Sequence, residues 1–190
     1  MSHSQRRRGF SLVEVIISIA LLSIIMALVL PPFTNYRTQQ FAGQAAEELA
    51  ADCRRMSAEA LRREGYFYVK IVNSTNYELW DGTETTRTGA VVLRYKARQT
   101  MADYGAVTIT PVGGSVTDAK LVFGEKGWVR DSTASAEPRT NIQKQTETVT
   151  SSGGNFTASY WGFTVTSAPG VAKYTYEVRV YENGRVKVVH

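Results

Sequence analysis

The sequence predicts an α+β fold, in which a long N-terminal helix packs on a C-terminal antiparallel β-sheet. The helix is indicated by an uninterrupted apolar segment from Phe10 to Leu30 and by an apolar stripe of helical spacing that follows it. The sheet is indicated by a series of β-branched and aromatic runs from Tyr66 onwards. A helix followed only by strands is typical of an α+β protein. We therefore divide the chain into residues 1–9, 10–30, 31–64 and 65–190.

The segment from Phe10 to Leu30 is long and apolar enough to cross a membrane once. It contains 21 residues, and Glu14 is the only charged residue among them. At about 1.5 Å per residue, a helix of this length spans about 30 Å, which is the thickness of a bilayer core. Arg6, Arg7 and Arg8 precede it, and clustered basic residues stay on the cytoplasmic side. We expect a cytoplasmic N-terminus, with residues after Leu30 on the far side.

Glu14 is the residue of this segment that most needs an explanation. A carboxylate inside a membrane-spanning helix is costly and by default marks a functional site. Cleavage between Gly9 and Phe10 would create a positive α-amino group at nearly the same depth, which could pair with Glu14. Gly9 suits such a cut, because a residue without Cβ enters a narrow protease cleft easily. Gly9, Phe10 and Glu14 are therefore the candidate processing and pairing residues.

Two ordinary signals are alternative explanations of the same segment. Secretory signal peptides have shorter apolar regions and end in a small-x-small cleavage site, whereas this segment ends in Leu28-Val29-Leu30-Pro31-Pro32. A plain signal anchor fits the length but gives no role to Glu14 or to Gly9-Phe10.

The N-terminus resembles the class III signal of type IV pilins and type II secretion pseudopilins. The resemblance covers residues 6 to 32 and rests on the basic leader, Gly9, Phe10, Glu14, the apolar helix and Pro31. It implies that a prepilin peptidase in the membrane cleaves after Gly9 and methylates Phe10. It also implies that Glu14 pairs with the terminal amine of a neighbouring subunit when an inner-membrane platform assembles the filament.

Residues 31–64 continue as an amphipathic helix. Its apolar stripe is Phe33, Tyr36, Phe41, Ala45, Leu49, Cys53, Met56 and Ala60, and charged residues including Asp52 surround it. We expect the stripe to pack on the sheet and the helix to end near Gly65. Pro31 and Pro32 lack N–H donors, so a kink or local melting is expected there.

Nine runs after the helix are candidate strands. Asn183-Gly184 lies between the last two and predicts a hairpin with a type I′ turn. Ser, Thr, Gln, Glu and Gly dominate between residues 131 and 158, which predicts an exposed, mobile loop. The nine runs are Tyr66–Val72, Tyr77–Trp80, Val91–Arg98, Val107–Thr110, Lys120–Phe123, Trp128–Arg130, Tyr160–Thr166, Tyr174–Glu182 and Arg185–Val189.

Two C-terminal motifs resemble the GspH/FimT group within the same family. One is Leu-Val-Phe-Gly-Glu-Lys-Gly at residues 121–127, and the other is Asn-Gly-Arg-Val at residues 183–186. The resemblance implies a minor subunit, at or near the tip of a type II secretion pseudopilus or a type IV pilus. One branch of this group is linked to DNA uptake, and Arg185 and Lys187 alternate onto one face of a strand where they could contact phosphates. A solvated strand face explains the two residues equally well.

Composition argues against other classes of protein. Without residues 1–9 the chain keeps 19 Lys and Arg of its 22 against 17 Asp and Glu, so the net charge falls from +5 to about +2. Cys53 is the single cysteine, which excludes an intrachain disulfide. The two histidines are His3 and His190, so no internal histidine is available for a catalytic triad or a metal cluster. We expect no enzyme activity, no metal and no cofactor.

Overall fold

The computed structural model describes residues 11–85, 91–100, 107–116, 119–130, 140–151, 154–167 and 174–190. Within these residues one helix is followed by nine strands, which confirms the predicted α+β fold. The chain divides into two compact units, residues 1–37 and Thr38–His190. The elements are α1 (Leu12–Arg63), β1 (Phe67–Asn73), β2 (Asn76–Thr85), β3 (Val91–Thr100), β4 (Val107–Pro111), β5 (Ala119–Phe123), β6 (Gln145–Ser151), β7 (Gly154–Ser167), β8 (Thr175–Tyr181) and β9 (Val186–Val189).

Helix α1 begins and ends with recognisable backbone signals. At its start the carbonyl of Ser11 accepts hydrogen bonds from the amides of Glu14 and Val15, at 3.0 and 3.2 Å. At its end Glu64 adopts a positive φ of 50°, and the amide of Gly65 donates to the carbonyl of Ala60. This is the Schellman termination, so the helix ends where Gly65 predicts, although Glu64 takes the left-handed position. Pro31 and Pro32 are assigned helical backbone, and the kink at them stays a prediction.

The helix from Thr38 onwards packs through a face rich in alanine. Five members of the predicted stripe, from Ala45 to Ala60, are fully buried, and Phe41 is half-buried against them. Ala42, Ala46 and Ala50 are also buried and widen this face. Tyr36 is exposed, which contradicts its place in the stripe, and the side chain of Phe33 lies outside the described residues.

Two antiparallel sheets share one core with this helix face. The first sheet has the order β3-β2-β1-β5, and the second has the order β4-β7-β8-β9. Strand β6 also pairs with β7, on the edge that β4 uses further along the same strand. Phe67, Leu121 and Phe123 of the first sheet join Trp161 and Phe163 of the second in a single buried cluster with the helix. The hydrophobic effect therefore holds all three layers together at once.

The predicted mobile loop at residues 131–158 is wrong for much of its length. Residues 145–151 form β6, and β7 already begins at Gly154. The Thr-rich segment from Gln145 alternates side chains and pairs with β7 in unbroken register, from Gln145 with Tyr160 to Ser151 with Gly154. Threonine is β-branched and favours strands when a partner strand is present, which polarity alone conceals. Residues 131–139 lie outside the described residues.

Two smaller predictions also need correction. Trp128–Arg130 is not a strand, because Val129 makes only one isolated bridge, to Phe123, and donates its amide to the carbonyl of Glu182 in the turn after β8. The hairpin at Asn183-Gly184 is present, but within it only Gly184 has positive φ, at 79°. The Gly184 amide donates to the Tyr181 carbonyl, and the Tyr181 amide donates to the Arg185 carbonyl. This pattern is a three-residue turn with a glycine bulge and not a type I′ turn.

Helix α1, the Gly124–Gly127 turn and the β8–β9 hairpin meet at one junction. The Ser57 hydroxyl donates to the Gly127 carbonyl at 2.6 Å. A Cβ on Gly184 would lie 2.4 Å from the same carbonyl oxygen, and a Cβ on Gly127 would lie 2.9 Å from the backbone oxygen of Ser57. Only glycine fits at both positions, because these contacts are with backbone that cannot move away alone.

Asp52 is buried next to the apolar face of α1, where sequence alone placed it among the charged residues. It is 8% exposed, and the Tyr77 hydroxyl donates to its Oδ2 at 2.8 Å. Burial raises the pKa of the Asp52 carboxyl above its ordinary value, and the hydrogen bond from Tyr77 opposes that rise in part. Burial and the Asp52 charge also raise the pKa of Tyr77, so the tyrosine stays a donor.

Gly184→Ala is expected to destabilise the Thr38–His190 unit by about 2–4 kcal/mol, because it combines a positive φ with a backbone clash. Gly114→Ala is the matched control. The backbone of Gly114 does not have a positive φ, and a Cβ there would meet only ordinary contacts, of which the nearest is the Pro111 side chain at 3.6 Å. Its effect should stay within about 1 kcal/mol. Urea unfolding of a fragment starting at Thr38 measures both, and equal losses would contradict the junction.

Asp52→Asn is expected to flatten the dependence of stability on pH. The folded pKa of Asp52 is raised, so its protonation favours the folded state, and the wild type loses stability as pH rises from about pH 4 through that pKa. The asparagine variant lacks this loss and gains relative stability towards neutral pH. Tyr77→Phe removes the opposing hydrogen bond and should steepen the loss. Unfolding curves of the same fragment across this range test both changes, and parallel profiles for wild type and Asp52→Asn would count against a raised pKa.

Candidate functional site: the N-terminal helix and the outer face of the second sheet

The first turns of α1 expose an apolar surface. Large apolar side chains from Leu12 to Leu28 have exposed fractions between 45% at Val15 and 75% at Leu12. Soluble proteins rarely expose apolar patches of this size unless lipid or another protein covers them. In the part of the chain that the structure describes, no helix reaches the length and hydropathy of a membrane span.

The polar residues within this surface are satisfied by the helix itself. The hydroxyls of Ser18 and Ser23 donate to the carbonyls of Glu14 and Ile19, both at 2.8 Å. Such bonds remove the need for water at these hydroxyls, which suits an apolar environment. The serines therefore do not interrupt the apolar character of the segment.

Glu14 lies in the first turn of α1, where its side chain is exposed. The positive end of the helix dipole stabilises a carboxylate at this position. Among the described residues, Glu14 has no ion-pair or side-chain hydrogen-bond partner. Ser11 lies three residues before it, the spacing of a capping box, which is a signal that the charge pattern alone does not reveal. Gly9 and Phe10 lie outside the described residues, so their processing stays a prediction.

The second sheet presents a polar face to solvent, which we call the outer face. It carries the residues that alternate with those facing the core, and among them Tyr160 is itself buried: Glu147, Ala158, Tyr160, Gly162, Glu177, Arg179, Tyr181, Arg185 and Lys187. Cross-strand pairs such as Tyr160 with Tyr181, and Arg179 with Lys187, set this arrangement.

Arg179 organises a closed network at the centre of the outer face. Its guanidinium bonds to Glu177 Oε2 at 2.8 Å and to Glu147, and it lies 4.7 Å from the centre of the Tyr160 ring. The Tyr181 hydroxyl donates to Glu147, and this bond, together with Arg179 and Lys187, lowers the pKa of the Glu147 carboxyl. Arg179 thus ion-pairs both carboxylates, and the Glu147 carboxyl is held ionised by its partners within the sheet. A pair of this kind joins strands and is poorly suited to acid–base exchange.

Arg185 and Lys187, the predicted phosphate contacts, lie together beside this network. Both are exposed and line a shallow groove of about 460 Å³. Phe156, which is 54% exposed, forms part of the wall. Glu147 and Glu182 line the same groove, so its charge is mixed. The structure brings the two cations together but does not isolate them from acidic groups.

Cys53 and His190, the residues that nucleophilic or acid–base chemistry would most readily use, both lie in packing contacts. Cys53 is fully buried, and burial raises the pKa of its thiol, which keeps it protonated. The ring of His190 contacts Tyr176 edge-on, with 4.7 Å between ring centres. Across the described residues, no three His, Cys, Asp or Glu side chains converge as a metal site would require.

Comparison with known proteins adds one match. Residues 4–30 match the family model of the prokaryotic N-terminal methylation motif. Searches of curated proteins and of solved structures give no significant match. The matched span covers the basic residues, Gly9, Phe10, Glu14 and the apolar start of α1, which are the residues that sequence analysis singles out. Residues 4–30 are therefore a class III methylation signal, the signal with which type IV pilins and pseudopilins begin.

Proposed function

We propose that the chain is a minor pilin or pseudopilin, a structural subunit of a type II secretion pseudopilus or a type IV pilus. The observation that carries the proposal is the class III signal at the head of a helix whose apolar side chains are exposed. Such a helix needs an apolar environment. The membrane provides it before assembly, and the neighbouring helices of a filament provide it afterwards.

The proposed location follows from the charges at the N-terminus. Before assembly the subunit is anchored in the bacterial inner membrane by one pass of residues 10–30. Arg6, Arg7 and Arg8 hold the N-terminus in the cytoplasm, and the β-rich region faces the periplasm. The signal implies processing by a prepilin peptidase and assembly with other pilins, and we add an inner-membrane assembly platform as a further partner.

We assign the subunit to the GspH/FimT group and place it at or near the filament tip. What supports this assignment is that the two motifs behind the resemblance meet in space. Gly127 of the first motif and Gly184 of the second contact each other and Ser57 of the helix. The presence of both motifs in one chain thus has a structural reason, whereas two unrelated turns would have no cause to meet.

We propose a structural and not a catalytic role, without metal or cofactor. The buried, protonated thiol of Cys53 and the ion-paired carboxylates of the outer face support this reading. Hydrolase assays of the protein would contradict it if they revealed turnover.

DNA binding at Arg185 and Lys187 is the alternative function. The exposure of both cations on one groove favours it, whereas Glu147 and Glu182 in the same groove oppose phosphate binding. If the alternative holds, duplex binding weakens steeply as salt rises, and the double alanine variant flattens that slope by about one unit per lost contact.

Processing is tested by the intact mass of the protein extracted from membranes. In cells with an active prepilin peptidase, the mass should correspond to a chain that begins at a methylated Phe10. In cells without the peptidase, residues 1–9 should remain. A chain that keeps residues 1–9 despite active peptidase would overturn the assignment of the signal.

Glu14→Val is expected to leave membrane levels unchanged or higher and to reduce recovery in sheared filaments to background. The substitution removes a costly intramembrane charge but also the partner of a neighbour's amine. Ser18→Ala is the matched control one turn further on, and it should assemble normally. Filament recovery of Glu14→Val equal to that of the control would exclude the assembly role.

A further inference from the structure

Strand β9 lies at the edge of the second sheet, and its free side carries backbone groups without partners in the described chain. The amide of Tyr181 donates to the carbonyl of Arg185 at 2.8 Å, which sets the phase of the β8–β9 ladder. In an antiparallel ladder the bonding residues alternate, so Lys187 and Val189 bond to β8, whereas Val186 and Val188 direct N–H and C=O groups outwards. Among the described residues, no backbone hydrogen bond reaches these outward groups. An edge of this kind can accept one more strand.

The side chains along this edge specify what the additional strand must carry. On the outer face Arg185 and Lys187 are exposed, two residues apart. On the inner face Val186 and Val188 are half-buried against the core. A strand paired with β9 would place its own side chains opposite these, so acidic residues should alternate with apolar ones.

The two cations are available for such a partner. Arg179 is already bound to Glu147 and Glu177, whereas Arg185 and Lys187 form no ion pair with any described residue. A second copy of β9 is a poor partner, because pairing it with itself would bring the cations of the two copies close together. The partner strand must therefore be acidic and come from a different polypeptide segment.

We propose that the free edge of β9 binds an extended segment of another protein as an added strand, in which carboxylates alternate with β-branched apolar residues. This surface is independent of the N-terminal helix, so the proposal does not require that the chain assemble into a filament. A DNA duplex would use the two cations but not the outward N–H and C=O groups of β9.

The test uses the full chain in detergent micelles and a labelled heptapeptide, Thr-Glu-Val-Glu-Val-Glu-Thr. Its counterpart with lysine in place of each glutamate is the matched control peptide. Fluorescence anisotropy should detect binding of the glutamate peptide and at least about tenfold weaker binding of the lysine peptide. Residue-resolved hydrogen exchange should slow at the amides of Val186 and Val188. No binding of the glutamate peptide, or equal binding of both peptides, would overturn the proposal.

Two variants separate strand addition from simple charge attraction. Val188→Pro removes an outward N–H without touching the ladder to β8, and it should abolish binding of the glutamate peptide. Lys187→Glu should weaken binding of the glutamate peptide by about tenfold and strengthen binding of the lysine peptide. Lys126→Glu makes the same charge change on an exposed turn and should alter the binding of neither peptide. Thermal unfolding verifies that each variant is folded. An added strand would be excluded if both Val188→Pro and Lys187→Glu bound the glutamate peptide as tightly as the wild type does. It would also be excluded if the chain bound duplex DNA and Val188→Pro left that binding unchanged.

Discussion

The fold depends on one packing constraint, which is that both sheets bury their apolar faces on the same alanine-rich face of α1. Ala45, Leu49, Cys53 and Met56 belong to a single cluster with residues of β1, β5, β7 and β8. A sheet with one apolar face needs a second layer to bury it, and the helix forms part of that layer for both sheets. The alanines on this face are fully buried, so a larger residue there would force the layers to shift.

The junction of Ser57, Gly127 and Gly184 follows from the same constraint at the end of the helix. Once the two sheets sit on one helix, the turn after β5 and the hairpin after β8 are brought to the same place. Backbone approaches backbone there, and glycine is required where a Cβ would collide. Asp52 is a second consequence, since its position next to the packed face forces a carboxylate out of water, and Tyr77 provides the compensating donor.

The two surfaces with functional interest lie at opposite ends of the sequence and differ in chemistry. The start of α1 exposes apolar side chains whose serines are satisfied internally, which suits lipid or neighbouring helices. The outer face of the second sheet is polar, and the network around Arg179 neutralises its own acids. Because those acids are already paired, the charges of Arg185 and Lys187 remain for a partner, and the edge of β9 adds backbone groups to them. The proposed anchoring and the proposed strand addition would thus use separate parts of the chain.

The sequence by itself determined the helix, most strands and the N-terminal signal. These depend on local patterns: helical spacing of apolar residues, β-branched runs, Gly65 after the helix, and the basic, glycine, phenylalanine and glutamate residues before the apolar segment. The class III signal is read from order and spacing alone, and for that reason a family model recognises it without the rest of the fold. The two cations at Arg185 and Lys187 were also evident, because alternation along a strand assigns them to one face.

Only the tertiary structure decided which polar residues are buried, which strands find partners and which edge stays open. The charge of Asp52 and its position on the helix predict an exposed side chain, but the side chain is buried and hydrogen-bonded to Tyr77. The Thr-rich β6 has no apolar alternation, so its strand exists because β7 offers an edge of matching length. The turn at Gly184 takes its form from the register of β8 with β9 and from the Gly127 carbonyl, neither of which is encoded in the Asn-Gly pair. Each of these outcomes depends on residues distant in the chain, whose distances become short only when the hydrophobic core closes.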